Sequence, residues 1–263
     1  MRSLFCIMTE IFIFFILILG AAFGSFFNVC IYRIPLKKNI VYRSSHCPVC
    51  NTEIRHIHNI PIFSYLVLKG KCNECGTKIS IRYLLVEIIT PIIFILIFLM
   101  NNRIPDFIFF KYIIFASFSI IIFFIDLDHK LIPDVLSLPL ILIGLGFSLI
   151  PNVDINFISS LIGSASGFLF FFTVAYGFKK VTGKDSLGGG DIKYIAAVGS
   201  FLGYFGILFT IIFSSFVAIV TLLLLRHDLK KEFPYGPFLV LGSLIYILCG
   251  DFLLSSYLGM FNF

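Results

Sequence analysis

Apolar runs close to the roughly 20 residues needed to cross the hydrocarbon core of a bilayer recur along most of this chain. They cover about 9–32, 83–100, 107–125, 135–150, 157–178, 191–206, 207–225 and 236–256. This pattern predicts an all-α polytopic membrane protein of about eight transmembrane helices. The fourth and sixth runs are short, which implies tilt or a kink, and the break between the sixth and seventh is weakly marked. Composition agrees: 59% of the 263 residues are hydrophobic and 13% charged, with a mean hydropathy of +1.04. A soluble domain carries about 25% charged residues, so the solvent for this chain is largely lipid. The apolar part of the first run, 11–31, exceeds the 7–15 residues typical of a signal-peptide core and reads as a retained helix.

The net charge of +6 is explained by where the charges fall and is no sign of nucleic-acid binding. Residues 33–82 hold nine Lys or Arg against Glu53 and Glu74. With that loop in the cytoplasm and eight spans, Lys130, Lys179, Lys180, Lys184, Lys193, Arg226, Lys230 and Lys231 also lie inside. Arg2, Arg103 and Lys111 lie outside. Seventeen against three is a strong positive-inside bias. Three regions follow: a first transmembrane helix over 1–32, a polar cytoplasmic loop over 33–82 and a seven-helix membrane core over 83–263. No internal repeat or low-complexity tract is apparent. Small residues such as Gly20, Ala21, Ala22, Gly24 and Ser25 suit close helix packing.

The polar loop contains Cys47-Pro-Val-Cys50 and Cys72-Asn-Glu-Cys75. Each CxxC pair sets two thiolates on one tight turn, and two pairs complete a tetrahedral four-sulfur site for structural zinc, or for iron in the same cage. The 21 residues between the pairs slightly exceed the usual spacing of about 15–20, a small penalty because loop closure grows only logarithmically. The bland alternative, two disulfides or free thiols, fits a reducing cytoplasm less well. Cys6, Cys30 and Cys249 lie in or beside apolar runs and read as buried thiols.

Carboxylates at membrane depth are expensive and normally face a polar interior. One group lies in Phe123-Phe-Ile-Asp126-Leu-Asp128-His-Lys-Leu-Ile-Pro-Asp134, another in Gly188-Gly-Gly190-Asp191-Ile-Lys193. One closes the third span and the other opens the sixth, at the same membrane depth. Two carboxylates brought together share one proton, the arrangement of an aspartyl protease. The catalytic candidates are Asp126 and Asp191. Gly188, Gly190 and Lys193 form a supporting loop, its glycines leaving room for an extended peptide backbone. Taken singly, each acid has an ordinary reading. Asp191 is a fair N-cap, Asp134 is better read as one, and Asp128 suits interfacial water. Asp126 and Asp128 point about 200° apart on a helix, and Asp126 lies deeper.

At these residues the chain resembles the type IV prepilin peptidases, the leader peptidase/N-methyltransferase branch of the GxGD intramembrane aspartyl proteases. The likeness runs in order through nearly the whole chain. It includes Gly24-Ser-Phe-Phe-Asn28 through Arg33-Ile-Pro35, both CxxC pairs, Asn59-Ile-Pro61, Ile81-Arg82-Tyr83 through Glu87, and both aspartate blocks. The resemblance implies cleavage of a type IV prepilin or type II pseudopilin precursor, which has a short basic leader ending in Gly before an apolar helix. It implies an enzyme of the bacterial inner membrane, with its zinc loop and active site on the cytoplasmic side. It also implies methylation of the new N-terminal residue from S-adenosylmethionine, with Glu87 a further acidic candidate. Where the family commonly has an acidic residue before Asn-Ile-Pro and an aromatic one before that, this chain has His58 and Ile57. The loop's basic surplus would not attract a basic leader and suits topology and anionic lipid.

Two other classes compete. A proton- or cation-coupled transporter using the intramembrane aspartates would favour midplane acids and a repeat relating two halves, and neither is evident. A non-catalytic secretion scaffold docking through the cysteine loop would leave the paired aspartates unexplained.

Overall fold

A backbone surrounded by hydrocarbon must satisfy its own hydrogen bonds, and the apolar runs do so as helices. A computed structural model describes residues 2–40, 46–47, 49–151, 153–183, 187–225 and 233–260, with the side chains of all these except 2–6, 56 and 251–260. The helices are α1 (Arg2–Arg33), α2 (Phe63–Val67), α3 (Ile81–Met100), α4 (Phe107–His129), α5 (Asp134–Phe147), α6 (Phe157–Thr182), α7 (Gly189–Leu225) and α8 (Gly236–Met260), with a 3-10 turn at His56–Asn59 before α2. Among the described residues, extended pairing is confined to two isolated bridges, His46 with Glu53 and Lys71 with Lys78.

Among the described residues, five helices, α1, α3, α4, α6 and α7, are long and apolar enough to cross a membrane. This is fewer than the eight expected, for two physical reasons. At 14 residues, α5 rises only about 21 Å; α8 is 25 residues long, of which Gly236–Gly250 has described side chains. The expected sixth and seventh spans are joined in α7, 37 residues long and broken at Gly203, where φ is 66° and ψ −165°. Only glycine adopts that conformation readily, so the break falls three residues before the expected boundary. The arms on either side double back. In an unbroken helix Gly199 and Ile207 would stand about 12 Å apart along the axis. Instead, Ile207 Cδ1 lies 2.8 Å from where a Cβ on Gly199 would be.

The chain divides into two units, Met1–Ile104 and Pro105–Phe263. In the first, α1 packs along α3. A Cβ at Gly20 would stand 2.6 Å from Pro91 Cα, and one at Gly24 2.8 Å from Glu87 Cα, so the small residues do bring these helices together. In the second, α7 packs on α5, α6 and α8, and α4 lies against α8. Asp106 and Asn156 cap α4 and α6, accepting from Phe109 N–H at 3.0 Å and Ser159 N–H at 2.8 Å. Lys111, counted above as an outer charge, is 1% exposed. It pairs with Asp154 at 2.6 Å, which Tyr112 also contacts through its hydroxyl. Lys184, Arg226, Lys230, Lys231, Arg43 and the side chains of Arg2 and Cys6 lie outside the described residues. Cys30 is buried as expected, whereas Cys249 is exposed on α8.

Candidate active site and metal centre

Asp126 occupies the last turn of α4, Asp191 the first turn of α7, and Gly236 opens α8. These three helix ends meet in the Pro105–Phe263 unit. Asp126 is 4% exposed, and its Oδ2 has no hydrogen-bond partner. Asp128, pointing the other way, is exposed. Asp191 is half-buried and lies within electrostatic reach of Asp126.

The segment at 132–134 holds these ends in place. A Cβ on Gly190 would stand 2.6 Å from Ile132 Cβ and 3.0 Å from its carbonyl oxygen. The bareness of Gly190 therefore lets α7 seat against Ile132, a role different from the expected room for a peptide. Asp134 is the first residue of α5, with Pro133 at the cap position and no side-chain cap bond. The expected N-cap role is thus replaced by an ion pair, with Lys193 Nζ donating to Asp134 Oδ1 at 2.6 Å. Asp191 is no N-cap either: it lies in the third position of α7, its N–H donating to Gly188 O at 3.1 Å.

Sequence reasoning missed Gly236 and Tyr194. A Cβ on Gly236 would fall 2.6 Å from Asp126 Oδ2, so only a bare backbone fits beside that carboxylate. The signal was Tyr235-Gly236-Pro237 at the head of the last apolar run. Tyr194, fully buried one turn beyond Asp191, joins Ser119 of α4 at 2.9 Å and Ser243 of α8 at 3.0 Å. Ser119 is two turns before Asp126 and Ser243 two turns after Gly236, so one hydroxyl node ties all three site helices. Each neutral hydrogen bond contributes about 1 kcal/mol. Tyr194→Phe is therefore expected to lower stability by about 1–3 kcal/mol, read as a lower midpoint for unfolding in detergent; an unchanged midpoint would show the node to be idle.

In the Met1–Ile104 unit, the sulfurs of Cys47, Cys50, Cys72 and Cys75 all lie within 4.8 Å of one another, and all four are free thiols. The Cys47 and Cys75 sulfurs are 3.8 Å apart, the spacing that a tetrahedron with metal–sulfur bonds of about 2.3 Å requires. Each pair sits on the same small knuckle. Cys47 N–H donates to Thr52 O at 3.0 Å and Asn51 N–H to Cys47 O at 2.9 Å; Cys72 N–H donates to Thr77 O at 2.8 Å and Gly76 N–H to Cys72 O at 3.0 Å. Asn51 and Gly76 take the positive φ that such a turn demands, 56° and 70°. A short local repeat, Cys-x-x-Cys-(Asn or Gly)-Thr, is thus present where none was expected. Hydrogen bonds from Thr77 bring the Cys75 thiol down to about 6, and those from Thr52 lower Cys50. At Cys75 and Cys50 these bonds favour the thiolate, the form a metal binds.

Comparison with known proteins agrees with this division of labour. Residues 18–101 match the bacterial peptidase A24 N-terminal domain, and residues 113–223 match the type IV leader peptidase family. The chain is 34% identical to the prepilin leader peptidase/N-methyltransferase of Neisseria gonorrhoeae, with 89% of each chain covered. It is 33% identical to the protein of that name from Dichelobacter nodosus, covering 92% of this chain and 93% of the other, and 33% identical to that from Pseudomonas aeruginosa, covering 94% and 93%. The chain belongs to the type IV leader peptidase family. No solved structure matches it. As a leader peptidase family member it carries the four-cysteine cluster in the N-terminal matched region, and Asp126 and Asp191 in the second. The transporter alternative finds no support among these relatives.

Proposed function

We propose that this protein removes the basic leader from type IV prepilins or pseudopilins, with Asp126 and Asp191 as the catalytic pair, and then methylates the exposed N-terminus. The main support for the peptidase chemistry is a buried Asp126 oxygen without a hydrogen-bond partner, with a second carboxylate within electrostatic reach at the same cluster of helix ends. Two such groups share one proton. The ionised member takes a proton from water as its oxygen attacks the scissile carbonyl carbon. The protonated member hydrogen-bonds the carbonyl oxygen and carries its developing charge. Collapse of the tetrahedral species breaks the C–N bond, and the amine leaves with a proton from the pair. S-adenosylmethionine, when bound, would supply the methyl group taken up by the freed α-amine, whose displaced proton would pass to solvent.

In this reading Cys47, Cys50, Cys72 and Cys75 hold a structural zinc, since a closed four-sulfur site leaves no position for substrate. The positive-inside bias supports placing that loop and the aspartates on the cytoplasmic face of a bacterial inner membrane, with the two arms of α7 crossing separately. A precursor's leader junction would lie at that depth.

Three glycine variants test the site. Gly190→Ala and Gly236→Ala are expected to lower leader removal at least ten-fold, since each new methyl meets atoms at 2.6 Å. Gly189→Ala meets nothing within 4 Å and is expected to retain activity. Equal activity in all three, measured on a purified precursor, would mean that cleavage does not depend on this packing.

A further inference from the structure

A cavity of about 380 Å³ opens within the Met1–Ile104 unit, in the size range of small-molecule sites, roughly 300–1,000 Å³. The end of α1, the cysteine module, the 59–60 segment and the first turns of α3 line it. It lies in a different unit from the aspartate pair.

Two features mark it as a built site. Asn28, on its wall, is 2% exposed. Its amide donates to Tyr83 O at 2.9 Å, but its Oδ1, equally buried, has no partner. An acceptor withdrawn from water without a donor is costly, and a ligand N–H or O–H would complete it. The second feature is a strained turn. Ile62 has φ 64° and ψ −53°, a region β-branched residues avoid. Phe63 N–H reaches back to Pro61 O at 2.6 Å, closing a γ-turn of the rare positive-φ kind. Glu87, itself on the cavity wall and 9% exposed, accepts Ile62 N–H at 2.7 Å and so fixes the turn. Strain of this kind persists where surrounding structure enforces it, and it clusters at ligand clamps. Asn59-Ile-Pro61 and Glu87, far apart in sequence, are thereby one feature.

The wall chemistry selects among ligands. Tyr32, Tyr65 and Tyr83 offer aromatic surface, Glu53, Glu74 and Glu87 offer negative charge, and Arg33, Arg55 and Lys78 offer positive charge for a ligand carboxylate. A molecule with a flat base, hydroxyl and ammonium donors, a positive centre and a carboxylate meets these demands. We infer that this cavity binds S-adenosylmethionine, with Asn28 Oδ1 accepting from one of its N–H or O–H groups, the carboxylates balancing its cationic end and the tyrosine rings receiving its adenine. The inference rests on the methyltransferase reading and gives that activity a location.

The test uses the full-length protein in detergent with a photoreactive azidoadenosine analogue of S-adenosylmethionine, followed by peptide mapping. Labelling within 28–87, competed by S-adenosylmethionine, is expected. Asn28→Leu, with metal content confirming its fold, is expected to weaken S-adenosylmethionine binding at least ten-fold in equilibrium dialysis. Labelling confined to Pro105–Phe263, or wild-type affinity in Asn28→Leu, would overturn the assignment. A wild-type protein that methylates a trimmed pilin but labels elsewhere refutes the pocket alone, whereas one that neither binds nor methylates removes both the pocket and the second activity.

Discussion

Asp126→Asn and Asp191→Asn are each expected to reduce leader removal by roughly 10³-fold or more, in line with the loss of a general acid or base. Asparagine keeps the shape of aspartate but neither takes the proton from water nor donates one to the carbonyl. For residues that act as a unit, as proposed for this pair, the double variant should be scarcely worse than either single one. Insertion and helix content should survive. Asp126 Oδ2 makes no hydrogen bond, so neutralising that side chain removes a buried charge without breaking a contact at that oxygen. Cleavage within ten-fold of wild type in either variant would take the aspartates out of the chemistry.

Stripping the metal is expected to have the second largest effect, and on stability more than on turnover. The two knuckles of the polar loop are short turns that bring their four sulfurs within 4.8 Å of one another. In small metal modules most folding free energy is metal binding, about 10–16 kcal/mol for zinc peptides. Cys72→Ser, or a strong chelator, should therefore sharply lower the thermal midpoint and the amount of protein recovered. Elemental analysis should find one zinc per wild-type chain and little in the variant. A wild-type protein without metal and an unshifted midpoint after chelation would together remove the structural-metal reading.

Much of this was legible in the sequence because the governing signals are local. Apolar runs at bilayer length announce helices, and the CxxC pairs announce a four-sulfur cluster through the tight turns they need. The opposed faces of Asp126 and Asp128 follow from helix geometry, and the structure buries one and exposes the other. What escaped depends on contacts between distant segments. The need for glycine at Gly236 exists only because α8 begins against Asp126. Asp134 looked like a cap because the partner that claims it, Lys193, is 59 residues away. The break at Gly203 lies three residues before the expected boundary because Gly199, Gly203 and Gly206 look alike in the sequence; backbone conformation, not composition, distinguishes them. The link between Ile62 and Glu87 required the strained turn to be seen.

The most direct test of the account is mass spectrometry of a purified prepilin incubated with the wild-type, metal-loaded protein in detergent. Loss of the leader at its junction with the apolar helix is the predicted result, with one further methyl mass when S-adenosylmethionine is supplied. A precursor left intact by folded, metal-loaded protein would contradict the central claim.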